Sequence, residues 1–153
     1  MSTTQSNTTR ADDVALLVGR ICLIALFLPS GIAKLLNFSG FASSLAAKTL
    51  PFGIPLPFPE LLAVLAVAIE VGGPFLLLFG IQTRWVALAM IAFVIMATLT
   101  SHRYWEMEEQ LRRTNSSSFY KNIAVVGGLL CLYVSGAGQL SWDRWRRRDR
   151  PRA

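Results

Sequence analysis

The sequence predicts an all-α, polytopic membrane protein in which four transmembrane helices form a bundle and both termini lie in the cytoplasm. The 153 residues are 53% hydrophobic and only 16% charged, whereas soluble domains carry about 25% charged residues. Four apolar runs approach or exceed the roughly 20 residues that a helix needs to cross a bilayer. Basic residues are concentrated in the segments that lie at one end of these runs, which indicates the orientation.

The predicted spans are residues 14–36, 61–81, 85–101 and 119–138. We interpret the first as a retained helix rather than a cleaved signal peptide, because its apolar character continues beyond Lys34 and its polar leader is nearly uncharged. The second span contains Gly72, Gly73 and Pro74, which a membrane helix tolerates when neighbouring helices satisfy its backbone.

The remaining segments are predicted as tails and connections. Residues 1–12 are rich in Ser, Thr, Asn and Gln and predict a disordered cytoplasmic tail, residues 13–143 the membrane domain, and residues 144–153 a basic cytoplasmic tail. Residues 38–59 end in four prolines and predict a short interfacial helix followed by an extended return, with a plain packed loop as the alternative. Residues 102–118 predict a solvated helical extension that ends at TNSSS.

The charge distribution orients the chain. An even number of spans places both termini on one side, which then carries Arg10, Arg84 and six arginines of the last ten residues. The opposite connections hold fewer basic residues, partly offset by glutamates, so the positive-inside rule predicts cytoplasmic termini. Lipid headgroups are favoured over nucleic acid as the partner of the basic tail. The residues interpreted as topology and interface residues are Arg84, Trp85, Trp142, Arg146, Arg147 and Arg148.

Glu70 is the only charged residue of the second apolar run. A charge at the centre of a membrane helix costs about 2.5–3.5 kcal/mol on insertion scales unless it is neutralised or partnered, so Glu70 is expected to face the protein interior. Small or apolar residues on the same helical face allow close helix contact there. These residues are Ala63, Ala66, Gly73 and Pro74.

Further polar residues are predicted to join Glu70 in a buried polar or ligand site. Arg20 and Lys34 are fourteen positions apart and fall within about 40° of each other on one helical face. Counting the rise per residue places Arg20 within reach of Glu70 and predicts an ion pair between them. Lys34 is then expected nearer the outer face, where Lys121 and Asn122 complete a pocket for an anionic or carbonyl-bearing headgroup. A purely structural salt bridge and snorkelling of the lysines to the interface remain alternatives.

The residue inventory restricts the chemistry. His102 is the only histidine, which excludes bis-histidine haem ligation and a multi-histidine metal site within one chain. Cys22 and Cys131 form no CxxC motif and are interpreted as free packing residues. No metal site and no intrinsic cofactor are therefore predicted. Any electron carrier would be a diffusible quinone or would belong to a partner.

Three ordered segments resemble the DoxX family of small four-helix bacterial membrane proteins, and the resemblance covers residues 14–143. The segments are SGIAKLLNFSGF, PELLAVLAVAIEVGGPFLLLFGIQTRW and KNIAVVGGLLCLYVSGAGQLSWD. The resemblance implies an inner-membrane protein linked to oxidoreductase systems, such as a thiosulfate:quinone oxidoreductase, or to thiol and oxidative stress defence. It supplies no assigned catalytic residues.

Two hypotheses about function follow. In the first, the chain is a quinone- or lipid-interacting subunit of a membrane oxidoreductase without its own metal centre. In the second, it is a non-catalytic scaffold or assembly factor whose polar interior only holds the helices together. The expected partners are the lipid bilayer, an oxidoreductase subunit or further copies of the chain, and a small-solute transporter is a weaker third reading because no internal repeat is obvious.

Overall fold

Six α-helices make up the described part of the fold, and four of them are long and apolar enough to span a membrane. The structure, a computed structural model, describes residues 3–148, and no β-strand occurs among them. The spanning helices are α1 (Thr3–Leu36), α3 (Pro59–Phe79), α4 (Thr83–Ser101) and α5 (Glu109–Ser135). Two short helices, α2 (Phe38–Ala46) and α6 (Trp142–Arg148), complete the chain. The prediction of an all-α, four-span fold is confirmed.

The spanning helices pack in the order α1, α3, α4, α5, and α1 makes only slight contact with α5. Phe27, Leu77, Met90, Val94 and Leu129 form the core between them. In the most apolar window of each helix, 39% of residues are buried in α3 but only 17% in α1 and 11% in α5. α3 is therefore the central helix, whereas most of the surface of α1 and α5 is left for lipid or for partner chains.

The connection between α1 and α3 contains a short helix, α2, as predicted, and this helix packs mainly against α3. It then forms a compact turn rather than a fully extended return. Thr49 and Pro55 form an isolated antiparallel bridge around the 3₁₀ turn Pro51–Gly53. Arg103 holds this turn against the end of α4, because its guanidinium donates to the carbonyl oxygen of Thr49 at 2.8 Å.

The connection between α4 and α5 differs from the prediction. The helix breaks at residues 102–108, and α5 then runs without interruption through the TNSSS segment that was expected to end a helix. Three side chains of this segment donate to carbonyl oxygens three or four residues earlier, at 2.8–3.1 Å. Polar side chains of this kind can bond back onto the helix instead of competing with it. The three residues are Asn115, Ser116 and Ser118.

The N-terminal part of α1 and the segment that follows α5 lie at the same end of the bundle. The carboxylate of Asp13 accepts a hydrogen bond from the backbone N–H of Gln139 at 2.7 Å. α1 begins at Thr3, so residues 3–12 are helical where composition predicts a disordered tail. These residues include no Gly or Pro, and extending an existing helix is much easier than nucleating a new one. Residues 1–2 and residues 149–153 of the predicted basic tail lie outside the described part.

Candidate functional site

Glu70 lies at the interface of α1 and α3, and Lys34 is its charged partner. The Glu70 residue is only 4% exposed. Its Oε2 accepts a hydrogen bond from the Lys34 ammonium, and its Oε1 accepts one from the Ser30 hydroxyl at 3.2 Å. Both carboxylate oxygens therefore have donors, which offsets the cost of holding a charge inside a membrane domain.

Arg20 does not pair with Glu70, which corrects the predicted ion pair. Its fully buried guanidinium donates to the carbonyl oxygens of Leu77 and Leu78 at 3.2 Å and of Leu140 at 2.6 Å. The last carbonyls of a helix lack partners within the helix, and the negative end of the helix dipole favours a cation. The predicted pair rests on the axial rise per residue, which compares only the depths of Arg20 and Glu70 in the membrane. It does not show that the carbonyl oxygens at the end of α3 lie beside Arg20.

The close approach of α1 and α3 at Glu70 depends on Gly31. A Cβ atom added at Gly31 would lie 2.9 Å from the carbonyl carbon, the carbonyl oxygen and the Cβ of Glu70. The segment SGIAK therefore supplies a hydroxyl donor from Ser30, space at Gly31 and a cation from Lys34. The small or apolar residues predicted on the Glu70 face of α3 are all buried: Ala63, Ala66, Gly73 and Pro74.

Lys34, on α1, approaches residues of three other helices: α2, α3 and α4. Its ammonium lies 5.3 Å from the ring centroid of Phe41 in α2 and 5.7 Å from that of Phe93 in α4. Cations are attracted to aromatic faces at such distances. The Lys34 side chain nevertheless remains 27% exposed, so it is held in place without being fully enclosed by the bundle.

Lys48 is a second cation at this end and is not one of the predicted site residues. Its Nζ donates to the Ser101 hydroxyl at 2.6 Å, which ties the α2 connection to the end of α4. Burial, and secondarily the nearby charge of Lys34, lowers the pKa of Lys48 below its usual range. A signal was present, since Lys48 is the only charged residue between positions 38 and 59.

Lys121 and Asn122 do not join Lys34 in the predicted outer pocket. Lys121 is exposed and makes no hydrogen bond or ion pair with residues 3–148. Asn122 donates its side-chain amide to Thr98 Oγ1 at 2.8 Å, and Thr98 in turn donates to the carbonyl oxygen of Val94 at 2.6 Å. Asn122 therefore belongs to the α4–α5 interface, where it borders a largely apolar cavity of about 240 Å³.

The predicted topology residues Arg84, Trp85, Trp142 and Arg146 surround a second cavity, of about 480 Å³, at the opposite end of the bundle. Trp85 and Trp142 are 71% and 49% exposed, as is typical of residues at a membrane interface. Arg84 also donates to the carbonyl oxygen of Val134 near the end of α5, at 3.2 Å. Arg147 and Arg148 follow on α6.

The remaining candidate residues do not cluster. Cys22 and Cys131 are free and exposed. His102 pairs its ring nitrogen with the Asn115 side chain at 3.2 Å. Within residues 3–148, no group of three or more His, Cys, Asp or Glu side chains could hold a metal ion.

Comparison with known proteins identifies the family. The DoxX family profile matches residues 15–103, more than half of the chain. Inner membrane protein YphA of Escherichia coli (strain K12) is 31% identical over 134 residues, which are 88% of this chain and 91% of the relative. Inner membrane protein YqjF of the same organism is 32% identical over 135 residues, 88% of this chain and 94% of the relative.

A more distant match is ER-derived vesicles protein ERV29 of Saccharomyces cerevisiae, which is 27% identical over 77 residues, 50% of this chain and 25% of that protein. No solved structure matches the chain. The family profile, the two inner-membrane relatives and the four apolar helices agree with the resemblance drawn from the sequence. The chain belongs to the DoxX family and is a multi-pass protein of the bacterial inner membrane.

Proposed function

We propose that this chain is a membrane subunit of an oxidoreductase system that binds the polar headgroup of a quinone through Lys34. The single observation that carries the proposal is that the Lys34 ammonium is fixed in orientation while the lysine side chain remains partly exposed. The ammonium is oriented by Glu70 and by the rings of Phe41 and Phe93, yet the side chain is 27% exposed. A lysine that is fixed in orientation beside aromatic rings, and whose side chain is partly accessible, suits a flat, carbonyl-bearing ring.

The chemistry of such a site follows from the donors that Lys34 has available. A lysine ammonium carries three N–H donors, and in this structure one is directed at Glu70. A further N–H can donate to a quinone carbonyl oxygen and stabilise the negative charge that develops there on reduction. In this proposal the electrons come from a partner subunit. Lys48, which lies near Lys34, adds positive charge to the same end of the bundle.

The test is quinone binding by purified protein in phosphatidylcholine nanodiscs, measured by quenching of tryptophan fluorescence with a short-chain quinone. We expect Lys34→Met to raise the Kd by about tenfold or more, equivalent to about 1.4 kcal/mol. Lys121→Met is the matched control, because it removes an exposed lysine that makes no contact through its ammonium with the described residues. An unchanged Kd in Lys34→Met, or an equal loss in both variants, contradicts the proposal.

A non-catalytic scaffold or assembly factor is the second candidate. It is supported by the large exposed apolar surfaces of α1 and α5, which suit partner helices or further copies of the chain as well as lipid. Glu70→Gln separates the two functions. The quinone site predicts lost binding with an unchanged amount of folded protein, whereas the scaffold predicts lower thermal stability and weaker recovery of partner subunits in pull-down experiments.

A further inference from the structure

The 480 Å³ cavity at the terminal end of the bundle has no role in the function proposed above. It lies between the start of α4, the end of α5 and the start of α6. Three arginines line it, Arg84, Arg144 and Arg146, against the single carboxylate of Asp143 among the described lining residues. The balance of charge in the cavity is therefore positive.

The carboxylate of Asp143 is already used within the fold. Its two oxygens accept the backbone N–H groups of Gln82 at 2.9 Å and Thr83 at 3.1 Å, at the N-terminus of α4. The N–H groups at the start of a helix lack partners within it, and an aspartate is one of the side chains that satisfy them. Asp143 is therefore held at the helix end rather than paired with the arginines.

The arginines retain unused donors. Arg84 uses one nitrogen on the carbonyl oxygen of Val134, and Arg144 uses Nε on the Gln139 side chain at 2.8 Å. Among residues 10–146, whose side chains the structure describes, Arg146 has no hydrogen-bond or ion-pair partner. Each guanidinium carries five N–H donors, so several remain for an anion in the cavity.

Thr83 provides an independent indication of a ligand. It is 1% exposed and lines the cavity, and its hydroxyl makes no hydrogen bond with any residue from 3 to 148. Buried hydroxyl groups in native proteins almost always have a hydrogen-bond partner. The unpaired Thr83 hydroxyl therefore indicates a partner outside residues 3–148, such as a ligand or a water molecule. The hydroxyl oxygen has almost no accessible surface, so the Thr83 side chain would have to rotate towards the cavity for an oxygen-bearing anion there to act as its acceptor.

We propose that this cavity binds a phosphate group. Guanidinium groups match the oxygen geometry of phosphate with paired, charge-assisted hydrogen bonds. Trp85 and Trp142 also line the cavity, and exposed tryptophans at the end of spanning helices are typical of the headgroup layer. The phosphate of an anionic phospholipid and free phosphate from the aqueous side present the same chemistry to these arginines.

Two binding experiments distinguish a phospholipid headgroup from free phosphate as the ligand. In one, purified protein in detergent is titrated with phosphatidylglycerol and, separately, with phosphatidylcholine, and binding is followed by native mass spectrometry. In the other, inorganic phosphate is compared with chloride at equal ionic strength by thermal shift. Preference for phosphatidylglycerol without a phosphate effect assigns a lipid ligand, and a phosphate-specific shift assigns a site for the free anion.

Three variants test the site itself. We expect Arg144→Gln/Arg146→Gln to weaken binding at least tenfold, and Thr83→Val, which changes no charge, to weaken it about threefold or more. The matched control is Arg112→Gln/Arg113→Gln, which removes two exposed arginines from the opposite end of the bundle and is expected to change affinity less than twofold. Absence of binding in both experiments, equal loss in the control, or full affinity in Thr83→Val overturns the proposal. If the double variant unfolds, Arg146→Gln alone replaces it under the same criteria.

Discussion

Buried charges in this protein are stabilised in two different ways at the residue scale. Glu70 has a cation and a hydroxyl as partners, Lys34 and Ser30. Arg20 has no carboxylate partner among the described residues and is held by three carbonyl oxygens. A carboxylate is therefore not the only possible partner for a buried cation, because backbone carbonyl oxygens, two of them near the end of α3, also carry partial negative charge.

Gly31→Ala tests the contact on which the Glu70 site depends. The new Cβ would lie 2.9 Å from the Glu70 backbone, so α1 and α3 must separate, and we expect the free energy of unfolding to fall by about 1–3 kcal/mol. Denaturant titration in detergent micelles, followed by circular dichroism, measures the change.

Gly128→Ala is the control for this experiment. A Cβ at Gly128 meets nothing within 4 Å, and alanine within a helix is favoured over glycine by about 0.5–1 kcal/mol. The control should therefore be neutral or slightly stabilising. Equal stability of the two variants would mean that the contact at Gly31 does not limit the approach of the helices.

At the scale of elements, helix ends are satisfied by residues distant in sequence. Asp143 caps the start of α4, Arg84 reaches the end of α5, and Arg20 reaches the end of α3. The packing of the chain at Gly80 is also close, since a Cβ there would lie 2.4 Å from the Ser141 side chain. These contacts give the GIQTR and SGAGQLSWD segments a shared structural role.

Asp143→Ala tests the cap of α4. Loss of both accepting oxygens leaves the N–H groups of Gln82 and Thr83 without this partner. We expect a loss of about 1 kcal/mol, by analogy with the roughly 0.5–2 kcal/mol lost when the side chain of an N-cap residue is removed. Thermal unfolding in detergent measures it. Asp143→Asn keeps one accepting oxygen and should lose less stability, so an Asn variant as unstable as the Ala variant would contradict a capping role.

At the scale of the whole molecule, the N-terminal part of α1 and the segment before α6 meet at one end of the bundle. That end is rich in arginine, with three arginines around its cavity, and the positive-inside rule therefore predicts that it faces the cytoplasm. The opposite end, with Lys34 and Lys48, would then face the periplasm.

Reporter fusions test this orientation. A fluorescent protein that matures only in the cytoplasm, fused after residue 153, should be bright, whereas alkaline phosphatase fused at the same position should be inactive. The same pair of reporters inserted in the 102–108 connection should give the opposite pattern. An active phosphatase at the C-terminus would reverse the predicted topology and would place the arginine cavity outside the cytoplasm.

The sequence by itself determined the four spans, the family and the inward direction of Glu70, because each depends on local composition or on the period of one helix. The tertiary structure decided the partners: Lys34 rather than Arg20 for Glu70, Thr98 for Asn122, and Ser101 for Lys48. Counting the rise per residue along each helix compares only the axial positions of two side chains. Which side chains meet depends on how the helices are rotated and which of them are neighbours, and both depend on packing between segments far apart in the chain.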